Sequence, residues 1–69
     1  MNTLTKAEKI VLDLVACGMN NPAIADRLVV EIKTVEHHIN NIYSKVDIPS
    51  WANRRVWLAI NAKKVLEEQ

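Results

Sequence analysis

The sequence predicts an all-α domain: four helices built around a short helix, a tight turn and a longer helix. Three observations carry that expectation. Residues suited to helix starts stand ahead of apolar stretches, as in TKAE at residues 5–8 and the Asn-Pro pair at 21–22. The apolar residues behind them recur at helical spacing. Breakers are few, with one glycine, two prolines and no phenylalanine in 69 residues, so the connections must be short.

The first helix is expected over about 5–17. TKAE is a capping box, in which the Thr5 hydroxyl accepts from the Glu8 amide and the Glu8 carboxylate reaches back to the Thr5 amide. Leu4, Val11, Leu12, Val15 and Ala16 are expected to face the core, and Gly18 to end the helix in a left-handed conformation. The second helix, over 21–28, has an asparagine cap and Pro22 in its first turn, where a missing amide costs nothing. Ile24, Ala25 and Leu28 form its inner face. Val29, Val30 and Glu31 make the turn. The third helix runs over 32–45, with Val35, Ile39, Ile42 and Val46 on one stripe, spaced four, three and four apart. Lys33, Glu36, His37, Asn40, Asn41 and Ser44 fall largely opposite. The stretch DIPS breaks the chain at Pro49, and Ser50 is expected to cap a fourth helix over 51–66. That helix carries Trp57, Leu58, Ile60, Ala62 and Val65, apolar over more than one narrow face.

Composition bounds the function. Apolar residues make up 49% of the chain, enough for a core and too many for a disordered segment. One domain is expected over 1–69, without repeats or linkers. No apolar run approaches the roughly 18–20 residues of a bilayer span, and nothing resembles a cleaved signal peptide. The single cysteine, Cys17, excludes an internal disulfide, which makes the cytoplasm the simplest compartment. No nucleophile with its base, phosphate-cradling glycine loop or pair of catalytic carboxylates can be assembled, so no enzyme is expected. Nine basic against eight acidic residues leave a net charge of only +1, little for a domain that holds nucleic acid by electrostatics alone. Any DNA binding must draw on local charge or on more than one subunit.

The residues LTKAEKIVLDLVACGMNNPAIADRL followed by KTVEHHINNIYSKV resemble the LuxR-type (GerE-type) helix-turn-helix DNA-binding domain. The matches are Leu4, Thr5, Glu8, Val11, Leu12, Gly18, Asn21, Ile24, Ala25, Leu28, Lys33, Thr34, Val35, His38, Ile42 and Lys45. They cover about the first fifty residues, and the fourth helix joins only through Arg54. The resemblance implies that the third helix enters the major groove of double-stranded DNA and that the fourth pairs two subunits. Carried over position by position, it implies base-edge contacts for Glu36, His37 and Asn40. Phosphate contacts fall to Lys33, Thr34, His38, Lys45 and Asn21, and a homodimer interface to Trp57, Leu58 and Asn61. Bare helical geometry agrees for the third helix, where 33, 36, 37, 40 and 44 share an exposed stripe. The chain departs from the family at Glu31, where serine is usual, at Ile32, usually polar, at Glu36, often basic, and at Trp57, usually small.

Each polar signal has a plainer reading beside it. His37 and His38 are neighbours about 100° apart on a helix, unlike the i, i+4 pair that grips a metal. With Cys17 on another helix, no metal and no cofactor is expected. His38 belongs at the rim of the core with one ring nitrogen toward a phosphate; His37 is either a base reader or solvated. Asn40 suits paired hydrogen bonds to adenine, and Glu36 could accept from a cytosine amino group. Arg27, with Lys33 and Lys45, can position the domain on phosphates; Arg54 and Arg55 either do the same or pair with carboxylates. With its first capping box at Thr5, the chain is expected to work as a small stand-alone regulator; read as an excised piece, its sensing half lies elsewhere. The rival to a DNA reader is an interaction module that modulates RNA polymerase or another transcription regulator.

Overall fold

The computed structural model describes residues 3–69, and among them four α-helices and no strand. They are α1 (Lys6–Ala16), α2 (Asn21–Leu28), α3 (Ile32–Lys45) and α4 (Arg54–Glu67). α1 packs on α3 and α4, and α2 packs on α3, so α1 is the element that ties the helix-turn-helix to the C-terminal helix.

Local chemistry sets the start of α1. The Glu8 amide donates to Thr5 Oγ1 at 3.1 Å and the Thr5 amide donates to Glu8 Oε1 at 2.9 Å, so both bonds of the expected capping box form. The helix stops in a Schellman arrangement: the Met19 amide donates to the Leu14 carbonyl and the Gly18 amide to that of Val15. Gly18 sits at φ +85°, with open space where a Cβ would stand, so glycine is needed for its backbone and not for room. Asn20 caps α2 through its side-chain oxygen, which accepts from the Ala23 amide at 3.0 Å.

α2 ends with the same pair of bonds, from Val30 to the Ala25 carbonyl and from Val29 to that of Asp26. Here the left-handed residue is Val29, at φ 57° and ψ 49°. A β-branched side chain is an outlier in that region, and no sequence signal announces it. The turn holds because those two bonds satisfy the last carbonyls of α2 and deliver the chain directly into α3.

The core gathers Leu4, Val11, Leu12 and Val15, then Ile24 and Ala25, then Val35, Ile39 and Ile42, and finally Leu58, Ala62 and Val65. Two expectations need correction. Ala16, expected in the core, is exposed; as the last residue of α1 it looks into a shallow groove beside Ala62 and Leu66. The fourth helix begins at Arg54 rather than Trp51, capped by Asn53, whose side-chain oxygen accepts from the Val56 amide at 3.0 Å. Pro49 to Ala52 instead form a turn closed by the Ala52 amide on the Pro49 carbonyl, which leaves Trp51 84% exposed. The seven-residue step from Trp51 to Leu58 imitates a continuing core stripe, yet there is no core beneath its first member.

Candidate nucleic-acid interface

α3 is a fourteen-residue helix fixed along one side and bare along the other. Val35, Ile39 and Ile42 are buried, while Lys33, Glu36, His37, Asn40 and Ser44 are exposed. Since about 3.6 residues make a turn, the exposed set lies along a continuous edge. Thr34, His38 and Asn41 flank it, half-buried. Among the described residues the side chains of Lys33, Glu36 and Asn40 have no hydrogen-bond or ion-pair partner, so their polar atoms face outward unsatisfied. His37 differs: its Nε2 lies 3.3 Å from Asn41 Nδ2, one turn on, so an Asn41 amide hydrogen can hold the ring in place. The two histidine rings stand 6.1 Å apart and tilted by 54°, diverging as helix neighbours do.

What anchors α3 is an ion pair between a partly exposed lysine and a buried carboxylate. Glu8 is 3% exposed, and Lys45 Nζ lies 2.7 Å from its Oε1 and 3.3 Å from the Thr3 carbonyl. Burial pushes the Glu8 carboxyl up. The bonds from Lys45 and the Thr5 amide, with the Lys45 charge, outweigh burial and hold it below its ordinary value. Lys45, expected at a phosphate, is therefore engaged inside the protein, and its role is to tie the end of α3 to the start of α1.

Three other polar residues prove to be fasteners. Arg55 donates through Nη1 to Asn21 Oδ1 at 2.7 Å and through Nη2 to the Met19 carbonyl at 2.8 Å, linking α4 to the entry of α2. Arg54 lies 4.7 Å from the centre of the Tyr43 ring, a cation–π contact between α4 and α3. Neither arginine pairs with a carboxylate. Asn21, expected at a phosphate, has its oxygen taken by Arg55 and keeps only its amide hydrogens for a ligand. The cations left free beside the turn and α3 are Arg27 and Lys33, against the carboxylates of Asp26, Glu31 and Glu36.

Residues 2–56 match the model of the GerE family, the bacterial regulatory proteins of the luxR family. The chain belongs to that family. That family is one of bacterial regulatory proteins. Over 46 residues the chain is 48% identical to the transcriptional regulatory protein LiaR of Bacillus subtilis, a match covering 67% of this chain and 22% of LiaR. It is 45% identical over 47 residues to the oxygen regulatory protein NreC of Staphylococcus haemolyticus, covering 68% and 22% respectively. With the nitrate/nitrite response regulator NarL of Escherichia coli K12 it shares 34% over 58 residues, 84% of this chain and 27% of NarL. The chain thus spans about a quarter or less of these luxR relatives' length. No solved structure matches it.

Of the three residues expected to pair two subunits, Leu58 lies away from the surface and Trp57 and Asn61 are partly exposed. Leu58 is fully buried in the domain's own core and has no surface to offer. Trp57 is half-buried beside Val46 and Val65, and Asn61 Nδ2 donates to the Trp57 carbonyl at 2.8 Å, within the same helix. The outward stripe of α4 is Val56, Ile60, Lys63 and Glu67, with Val56 and Ile60 among the most exposed apolar residues of the molecule. Placing Leu58, Ala62 and Val65 inward from their spacing fixes that stripe by subtraction.

Proposed function

We propose that this chain is a sequence-specific DNA-binding regulator that lays α3 in the major groove and acts in the cytoplasm as a homodimer. The observation that carries the reading is the free polar edge of Lys33, Glu36 and Asn40 on a helix whose opposite side is locked into the core. An amide at 40 can make paired bonds to adenine, and a carboxylate at 36 can accept from cytosine. His37, held by Asn41, presents its remaining ring edge between them. Lys33, the hydroxyl of Thr34, the free ring nitrogen of His38 and the amide hydrogens of Asn21 supply backbone contacts that set register without reading sequence. Lys45 leaves that set. Pairing is assigned to Val56 and Ile60 on α4, and two-fold symmetry then sets two α3 helices roughly 34 Å apart on successive major grooves.

The test is selection from randomised duplexes, followed by anisotropy titrations on what is enriched. A two-fold-symmetric site is expected. Asn40→Ala should abolish its preference at one position per half-site, a loss of about 1–3 kcal/mol, while Lys33→Ala weakens all duplexes alike. A uniform loss with Asn40→Ala would overturn the assignment of readers. One observation favours a second reading, an interaction module for RNA polymerase or another regulator. Around α3 two free cations face three carboxylates, and aliphatic side chains lie bare at Val29, Val30 and Ile32. Failure to enrich any duplex at low salt would support that reading.

A further inference from the structure

Among the described residues seven large apolar side chains lie exposed, and three of them, Val29, Val30 and Ile32, fall within four consecutive residues. The exposed aliphatic surface is therefore concentrated at the tip that leads α3 forward. Together with Pro22 and Ala25 these side chains line a shallow groove between α2 and the beginning of α3. Ile32 is the first residue of α3 and 44% exposed; Glu31 before it makes no side-chain cap bond. Ile32 stands one turn ahead of Glu36 on the same edge of the helix, next to Lys33.

We propose that Ile32 is a specificity-determining residue that reads the 5-methyl group of a thymine. The assignment rests on the reading of α3 as the groove helix. In that pose the N-terminal residues of the recognition helix are those that meet base edges. The thymine methyl is the one apolar group that projects from the major-groove floor; the other features that tell base pairs apart there are hydrogen-bond donors and acceptors. A sec-butyl side chain pressed on guanine O6 and N7 or on a cytosine amino group strips water from them and returns no hydrogen bond. Against a thymine methyl it removes water from two apolar surfaces at once. Ile32 thus selects thymine over cytosine by gain and by penalty, and thymine over uracil by the gain alone. The gain is that of one buried methyl-sized group, about fourfold in affinity. Aliphatic continuity with Val30 and Val29 keeps water from the contact on the side away from Lys33.

Exchange of thymine for deoxyuridine removes this methyl and nothing else, which makes it the test. On the duplex enriched by selection, each thymine is replaced in turn and affinity is read by anisotropy. We expect one position per half-site at which uracil weakens the parent protein by about fourfold. Ile32→Ala, whose fold is checked by circular dichroism, should bind the thymine and uracil duplexes equally. Lys33→Ala should weaken both and preserve their ratio. A half-site without thymine, silence at every exchange, or a preference that survives in Ile32→Ala overturns the role of Ile32 while leaving DNA binding intact. Absence of any enriched duplex overturns the DNA reading and this assignment with it.

Discussion

Val29 is the one described residue other than glycine with a positive φ. It occupies the left-handed region that Gly18 takes at the end of α1, but with a branched Cβ, which costs about 1–2 kcal/mol for an L-residue. Nothing repays that cost by burial, because the side chain is 89% exposed. Val29→Gly keeps both bonds that end α2 and removes the clash. Glycine's greater freedom in the unfolded chain offsets part of the gain. The expected outcome is a stabilisation of about 0.5–1 kcal/mol, read as a higher urea midpoint at unchanged slope. A lower midpoint would mean that the turn does not need the left-handed residue where the structure puts it. The same comparison shows a limit of reading turns from sequence: at Gly18 the residue type announces the conformation, and at Val29 it conceals it.

Helices are joined here by a few fasteners, and two of them yield predictions. Two residues compete to cap α4: Ser50, plausible from sequence, and Asn53, which makes the bond. Removing a working cap costs about 1 kcal/mol, so Asn53→Ala should destabilise by that amount and Ser50→Ala by almost nothing. Equal losses in urea melts would restore the earlier start. The second fastener is Glu8 to Lys45. Because folding lowers the Glu8 pKa from its ordinary value of 4.5, the unfolded chain takes up the proton first. The contribution is therefore complete above pH 4.5 and drains away as pH falls through the folded-state value. Glu8→Gln should be less stable than the parent at pH 7, and the two urea midpoints should converge on acidification below that point. Parallel curves would remove the ion pair from the account. These cases divide what was legible from what was not. The capping box, the core stripe of α3 and its exposed edge depend on residues within a turn or two of one another, and the sequence states them. Lys45 meets a carboxylate 37 residues away and Arg55 an amide 34 away. Spacing along a helix names the side of the helix such a residue is on, but not the neighbour that waits there. Leu58 differs: its spacing to Ala62 and Val65 already puts it on the inward side of α4, which packs on α1.

At the scale of the whole molecule the question is how a chain of net charge +1 holds a polyanion. Pairing of Lys45 with Glu8 withdraws charge that the sequence offers, while Arg54, held against the Tyr43 ring, keeps its charge. Arg27 and Lys33 remain beside α3, so one copy neutralises about two phosphates, and log affinity should fall against log salt with a slope of about −2. Two copies on a two-fold site double the slope to about −4. The homodimer proposed above would place its contacts at Val56 and Ile60, on the side of α4 away from the core. Ile60 is 76% exposed, so Ile60→Glu should leave the fold intact while setting like charges against each other across a two-fold axis. The expected result is a monomer in sedimentation with an unchanged urea midpoint, a weaker hold on the full site, and a salt slope near that of one copy. If the slope and the site affinity match the parent's, pairing through α4 is not what brings the two recognition helices to the DNA.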